Sequence, residues 1–217
     1  MLYEIEEYEE ARESYNEVAK KFSTNYGIFK AIGDCFRKEE NYKKAIENYK
    51  KSIDLWEEDE DASKADKAII LNSRALLYKQ DHRTKLAEQD FNELIQIDKK
   101  NPLFLCNRAN FYNEINQNEK AKKDLENAKK LLKLPHTKLS KSNIEFIEKK
   151  ISLYETMIKT EEQIDTMDKD DPEVKKVIEY YIKFKKNKED HEHNSHNCSE
   201  EEVDKLHEEV EYLKSQL

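Results

Sequence analysis

The chain has 217 residues, 39 basic and 48 acidic, a formal charge of −9, and only 2 Gly and 3 Pro. Loops that bring backbone up to a phosphate need several glycines, which Gly27 and Gly33 do not supply, and all-β folds need turn residues at every hairpin. Only 5 of the basic residues are Arg and the lysines alternate with acids, so no basic stripe points to nucleic acid; the longest apolar runs, such as Ala68–Leu71, are far too short to span a membrane.

At the N-terminus Tyr8, Ala11, Tyr15 and Val18 step by three, four and three, which predicts a helix over 2–22. The start, Met1-Leu2-Tyr3-Glu4, has neither the basic nor the apolar region of a signal peptide. Paired patterns follow. Phe29, Ile32, Gly33 and Phe36 share one helix face, a polar turn covers 38–41, and Tyr42, Ala45, Tyr49 and Ser52 share the next face. The pair recurs as Leu71, Ala75 and Tyr78 with Ala87 and Phe91, and as Leu105, Ala109 and Tyr112 with Ala121 and Leu125. Ala11 to Ala45 is 34 residues, and so is Ala87 to Ala121. Ala45 to Ala87 is 42, and the excess of 8 falls in the acidic stretch 57–66, which is expected as a solvated loop. Small residues at Gly33, Ala75 and Ala109, and at Ala45, Ala87 and Ala121, let two helices approach; the aromatic residues beside them fill the adjoining holes. Trp56, at the end of a second helix, is expected to pack in the core.

Through these residues the stretch 1–134 resembles the tetratricopeptide repeat (TPR) family. The resemblance implies an all-α fold, a solenoid of helical hairpins with about 3.5 repeats. Arg74 and Arg108 occupy the position before the small residue, where the family usually has a large side chain; Pro102 and Pro135 sit slightly late for the family's repeat-end Pro. The first unit is half a repeat. Its helix is either a natural cap or an apolar face open to a partner or a second copy.

Beyond Pro135 the repeat fades. Ile144, Ile147, Ile151, Tyr154 and Ile158 predict one helix over 138–167, and Asp171-Pro172 reads as the N-cap and first residue of another, faced by Val174, Val177, Ile178 and Tyr181. Residues 135–186 are thus expected as capping helices, 187–199 as a polar His-rich linker, and 200–217 as an amphipathic C-terminal helix. Ser199 and Glu202 form a capping-box pattern. Val203, Leu206, Val210, Leu213 and Leu217 then make a coiled-coil-like seam. That seam packs either on the chain's own preceding helix or on a partner, a second copy included.

Chemistry is sparse. The sequence has no Ser elbow, no HExxH and no DxDxDG, so no enzyme and no cofactor are expected. His191, His193, His196 and Cys198 lie close together, but their spacing fits no common structural zinc frame; they are weak metal candidates. Cys35, Cys106 and Cys198 read as free thiols in a reducing compartment. In a stacked solenoid the first helices line the concave side. This makes Lys30, Asp34 and Arg37, then Asn72, Leu76 and Lys79 beside Ile69, then Leu103, Asn107 and Asn110 candidate partner-binding residues. The face is basic at one end, apolar in the middle and amide-rich at the other, which suits an extended or helical peptide. Val203, Leu206, Val210 and Leu213 are a second candidate set. Some family members hold acidic chaperone tails with a two-carboxylate clamp. Of its positions only Lys30 matches, with Asp34, Ser73, Leu103 and Asn107 at the others. The resemblance implies a non-enzymatic protein–protein interaction scaffold or a subunit of a larger assembly, cytoplasmic, with cytoskeletal or ciliary complexes as the family-level context. A transient peptide-binding adaptor using the groove, and a metal-binding regulator using 191–198, are the alternatives. Partners are expected to be proteins or peptides, not nucleic acid or membrane.

Overall fold

In the computed structural model, residues 2–134 and 139–193 are described, with Glu208 and Tyr212 beyond them; side chains are placed for 7–134, 139–172, 174–185 and those two positions. The chain divides into two units, Met1–Phe111 and Tyr112–Leu217. Every regular element among the described residues is an α-helix, and none is long and apolar enough to cross a membrane.

The first unit holds α1 (Leu2–Lys21), α2 (Tyr26–Lys38), α3 (Tyr42–Glu58), α4 (Lys64–Gln80), α5 (Thr84–Ile97) and most of α6 (Pro102–Glu114). Helices adjacent in sequence pack together from α1 through α5. The small residues act as the periodicity suggests. Ala45, Tyr49, Ala75, Ala87, Phe91 and Ala109 are wholly buried. A Cβ added at Gly33 would stand 2.7 and 2.8 Å from ring atoms of Tyr49, so glycine here is a matter of space. The first-to-second helix turns share one backbone device. Glu40, His82 and Asn116 each have φ between 53° and 58°. After each, the next residue's N–H reaches back 2.8 Å to a carbonyl of the preceding helix: Asn41 to Phe36, Arg83 to Tyr78, Gln117 to Tyr112. This is a left-handed helix stop of the kind glycine usually provides, built here without glycine.

α1 packs on α2 through Arg12, whose Nε donates to Glu39 Oε1 at 2.7 Å and whose guanidinium lies 4.8 Å from the centre of the Phe36 ring. The acidic insertion is only partly a loop, which corrects the expectation for 57–66. α3 continues through Glu58 and α4 begins at Lys64 after an N-cap at Ser63. Glu, Lys and Ala are strong helix formers, so the helices lengthen and the loop shrinks to 59–63. Trp56 is half-buried and ties that loop down. Its Nε1 donates to the Ser63 carbonyl at 2.8 Å, and Lys67 Nζ lies 4.8 Å from its ring centre. Lys67 in turn pairs with Glu57 at 3.1 Å and Glu93 at 2.8 Å.

The second unit holds the last residues of α6, then α7 (Asn118–Leu132), α8 (Lys141–Thr166) and α9 (Pro172–His193). α8 starts at an N-cap, where Ser140 Oγ accepts from Asn143 N–H at 3.2 Å. Its buried face is Ile147, Ile151, Tyr154, Met157, Ile158, Thr160 and Ile164. α9 buries Val174, Val177, Tyr181 and Phe184. It opens at Pro172, the position Asp171-Pro172 predicts, but it runs on through Asn187–His193, which composition marks as linker. Polarity alone does not end a helix, and Lys, Glu and Asn without Gly or Pro leave nothing to stop it. A charged cluster locks this unit. Glu161 Oε2 accepts from Asn113 at 2.6 Å and Asn118 at 3.3 Å, and its Oε1 accepts from Lys185 at 2.7 Å and the Tyr181 hydroxyl at 3.0 Å.

Candidate functional site

The first helices of the first unit are linked to one another as well as to their own partners. The Tyr26 hydroxyl of α2 donates to Asp66 Oδ2 of α4 at 2.8 Å, and Asn107 Nδ2 of α6 donates to Asn72 Oδ1 of α4 at 2.8 Å. These bridges hold α2, α4 and α6 side by side, so that their outward faces form one surface.

The two ends of that surface differ from the sequence expectation. On α2, Lys30 Nζ pairs with Asp34 Oδ2 at 2.5 Å, and the Tyr49 hydroxyl donates to Asp34 Oδ1 at 2.6 Å. Burial, reinforced by the Asp34 carboxylate, pushes the Tyr49 phenol far above its ordinary range; Arg37 opposes the shift. At the basic end, therefore, Lys30 is matched by Asp34, while Arg37 lies half-buried beside Tyr49. On α6, Leu103 is half-buried, but Asn107 is 9% exposed and Asn110 2%. The amide-rich end is not offered to solvent, which corrects its reading as an open surface. A buried amide must find partners inside the chain, and Asn107 spends its donor on Asn72.

What remains accessible is the middle. On α4, Ile69 is 52% exposed, and Asn72, Ser73, Leu76 and Lys79 are half-buried. Ile69, Asn72, Ser73 and Leu76 follow at three, one and three, so they share a single helix face. An apolar side chain of a partner can pack on Ile69 and Leu76. The hydroxyl of Ser73 and the amide of Asn72 stand beside them for its backbone.

Other expected residues lie elsewhere. His191 and His193 fall on the last turn of α9. His196, Cys198, Val203, Leu206, Val210 and Leu213 lie outside the described residues. Among the described residues no three His, Cys, Asp or Glu side chains are grouped to hold a metal ion. Cys35 and Cys106 are buried free thiols, and burial raises the Cys35 thiol above its ordinary value. Sequence reasoning passed over Phe22, which continues the α1 stripe by a further step of four and is 59% exposed. The step itself was the available signal.

No curated protein matches the sequence. The two hairpins that carry Lys30, Asp34, Ile69, Asn72 and Leu76 lie in the part of the chain, residues 23–100, that matches the family model of the tetratricopeptide repeat, a module of protein–protein interaction in general.

Proposed function

We propose that this chain is a non-enzymatic interaction scaffold or subunit of a larger assembly, binding a protein segment through the α4 face. The observation that carries the reading is Ile69. It is a large aliphatic side chain, 52% exposed, between the paired Lys30 and Asp34 of α2 and the buried Asn107 of α6, which is bound to Asn72. Polar groups so engaged supply a firm frame and little affinity of their own. Binding free energy then comes from burying Ile69 and Leu76, about 25 cal/mol per Å² of apolar surface covered, less the cost of ordering the partner. A transient adaptor reading an extended peptide with the α6 amides is less well supported, because Asn107 and Asn110 are buried.

The test is affinity purification of the tagged chain beside its Ile69→Asp variant, with quantitative mass spectrometry and with circular dichroism as a folding control. A stoichiometric partner recovered with wild type, insensitive to chelator and lost with Ile69→Asp is the expected outcome. A partner retained by Ile69→Asp would place the interface elsewhere and defeat the reading.

A further inference from the structure

We infer that α1 pairs antiparallel with α1 of a second copy of this chain, through Ala11, Tyr15, Val18 and Phe22. The repeat register exposes the vacancy. Ala11, Tyr15 and Val18 align with Ala45, Tyr49 and Ser52 of α3, with Ala87, Phe91 and Leu94 of α5, and with Ala121, Leu125 and Ala128 of α7. All nine of those counterparts are 0% exposed. In α3 and α5 the covering element is the first helix of the same hairpin, α2 or α4. α1 has no such helix before it among the described residues. Its stripe is correspondingly bare: Tyr15 is 40% exposed, Val18 41% and Phe22 59%. The flank of the stripe away from Glu7 and Lys21 is occupied, since Arg12 is bound to Glu39 and lies over Phe36, and Lys38 Nζ lies 5.9 Å from the Tyr8 ring centre.

The charges of α1 select the occupant. Glu7, Ser14 and Lys21 are seven residues apart and so form one edge of the stripe, at nearly constant angle around the helix. Glu7, with Glu10 close by, makes the acidic end of that edge, and Lys21 makes its basic end. Among the described residues neither Glu7 nor Lys21 has an ion partner, whereas Lys20 is paired with Glu17. An antiparallel copy centred near Ser14 sets Glu7 of each chain against Lys21 of the other, and meets only serine at the middle. A parallel copy would set Glu7 against Glu7 and Lys21 against Lys21. The arrangement is isologous, so one patch satisfies itself and association stops at two copies. From Glu7 to Phe22 the contact is about 22 Å long at 1.5 Å per residue. The stepping of Tyr8, Ala11, Tyr15, Val18 and Phe22 by three and four is the seam that antiparallel helices interlock.

Sedimentation equilibrium of the full chain over a wide concentration range tests this. Wild type is expected to dimerise. Val18→Glu is expected to be monomeric with unchanged helicity, because Val18 is already exposed in the single chain. Glu7→Lys and Lys21→Glu, each alone, are expected to raise the dissociation constant roughly fivefold or more by creating two like-charge pairs. The double variant Glu7→Lys/Lys21→Glu is expected to restore the wild-type value, which only an antiparallel α1–α1 contact predicts. A wild-type chain that stays monomeric throughout overturns the inference and leaves the stripe to a helix of another protein. A dimer indifferent to Val18→Glu overturns it in favour of a different self-contact.

Discussion

Arg74 and Asp90 offer the sharpest quantitative test of how the repeat tolerates its departures. Arg74 stands where α2 has Ile32, and Asp90 where α3 has Asn48. Arg74 Nε and Nη2 donate to Asp90 Oδ2 and Oδ1, both at 2.7 Å, and the two side chains are only 15% and 6% exposed. Taking both ions from water costs several kcal/mol each, which the fork offsets only while both members remain. Burial raises the Asp90 carboxyl above its ordinary value even with Arg74 pulling it down. Arg74→Ile therefore strands a carboxylate, and the expected loss is about 3 kcal/mol or more. Adding Asp90→Asn rebuilds the pair found in the neighbouring hairpin. There Asn48 Nδ2 donates to the Lys44 carbonyl one turn back at 2.8 Å, and Asn at 90 has the Leu86 carbonyl at the same spacing.

The double variant Arg74→Ile/Asp90→Asn should thus lie within about 1 kcal/mol of wild type, with a coupling energy near 3 kcal/mol. Urea unfolding of wild type, both single variants and the double measures it. The sign with pH is fixed as well. A carboxyl with a raised folded pKa penalises the native state once pH rises through that pKa. The gap between Arg74→Ile and the double should therefore be full near neutrality and shrink as the lone carboxyl takes up a proton in acid. Additive single effects, or a gap that widens in acid, would refute the reasoning.

Glu40→Gly and His82→Gly remove a left-handed strain at φ of 58° and 53°. Each should raise stability by about 0.5 kcal/mol after the entropy of glycine in the unfolded chain is subtracted, and a lowered melting temperature would contradict it. Gly33→Ala drives a Cβ to 2.7 Å from the Tyr49 ring; overpacking of about 1–3 kcal/mol exceeds the helix gain of about 1 kcal/mol, so thermal melts should show a net loss. Glu161→Gln keeps the shape but turns one of the two acceptor oxygens into an NH2, aimed either at the donors of Asn113 and Asn118 or at those of Lys185 and Tyr181. Hydrogen exchange should then quicken in α8 and α9, and unaltered protection there would deny the cluster its role. Tyr49 and Tyr181 hold their phenols above the ordinary range, chiefly through burial. Such groups stabilise fully below about pH 10 and fail as pH rises beyond it, by about 1.4 kcal/mol per unit and group. Tyr49→Phe should make the alkaline slope shallower, and an unchanged slope would count against burial as the cause.

What the sequence discloses follows from the range over which each interaction acts. Ala45, Tyr49, Ala87 and Phe91 are legible because one helix face repeats them at fixed spacing, and burial of that face needs no knowledge of distant residues. Arg74 looks like a fault in the pattern because its justification, Asp90, lies 16 positions away on another helix. The turns at Glu40, His82 and Asn116 are hidden for a different reason, since the usual glycine signal is missing from all three. Charge misleads in the insertion: Glu57 and Glu58 are as acceptable on a solvated helix as in a loop, and they extend α3.

The candidate surface shows the same division more sharply. A helical wheel sorts residues by angle, and by angle Ile69, Leu76, Asn107 and Asn110 all face outward. How much of an outward face stays open is decided by neighbouring helices, and the wheel contains none. That is why Ile69 is 52% exposed while Asn110 is 2% exposed. The repeat nevertheless supplies a standard against which openness can be read. When one position is 0% exposed in three helices and 41% in a fourth, as at Ser52, Leu94, Ala128 and Val18, the difference cannot come from the residue's own angle or its apolar character. Among the described residues no helix covers α1 at that position, so in a chain of stacked hairpins the departures from register-wide burial mark where further helices can dock.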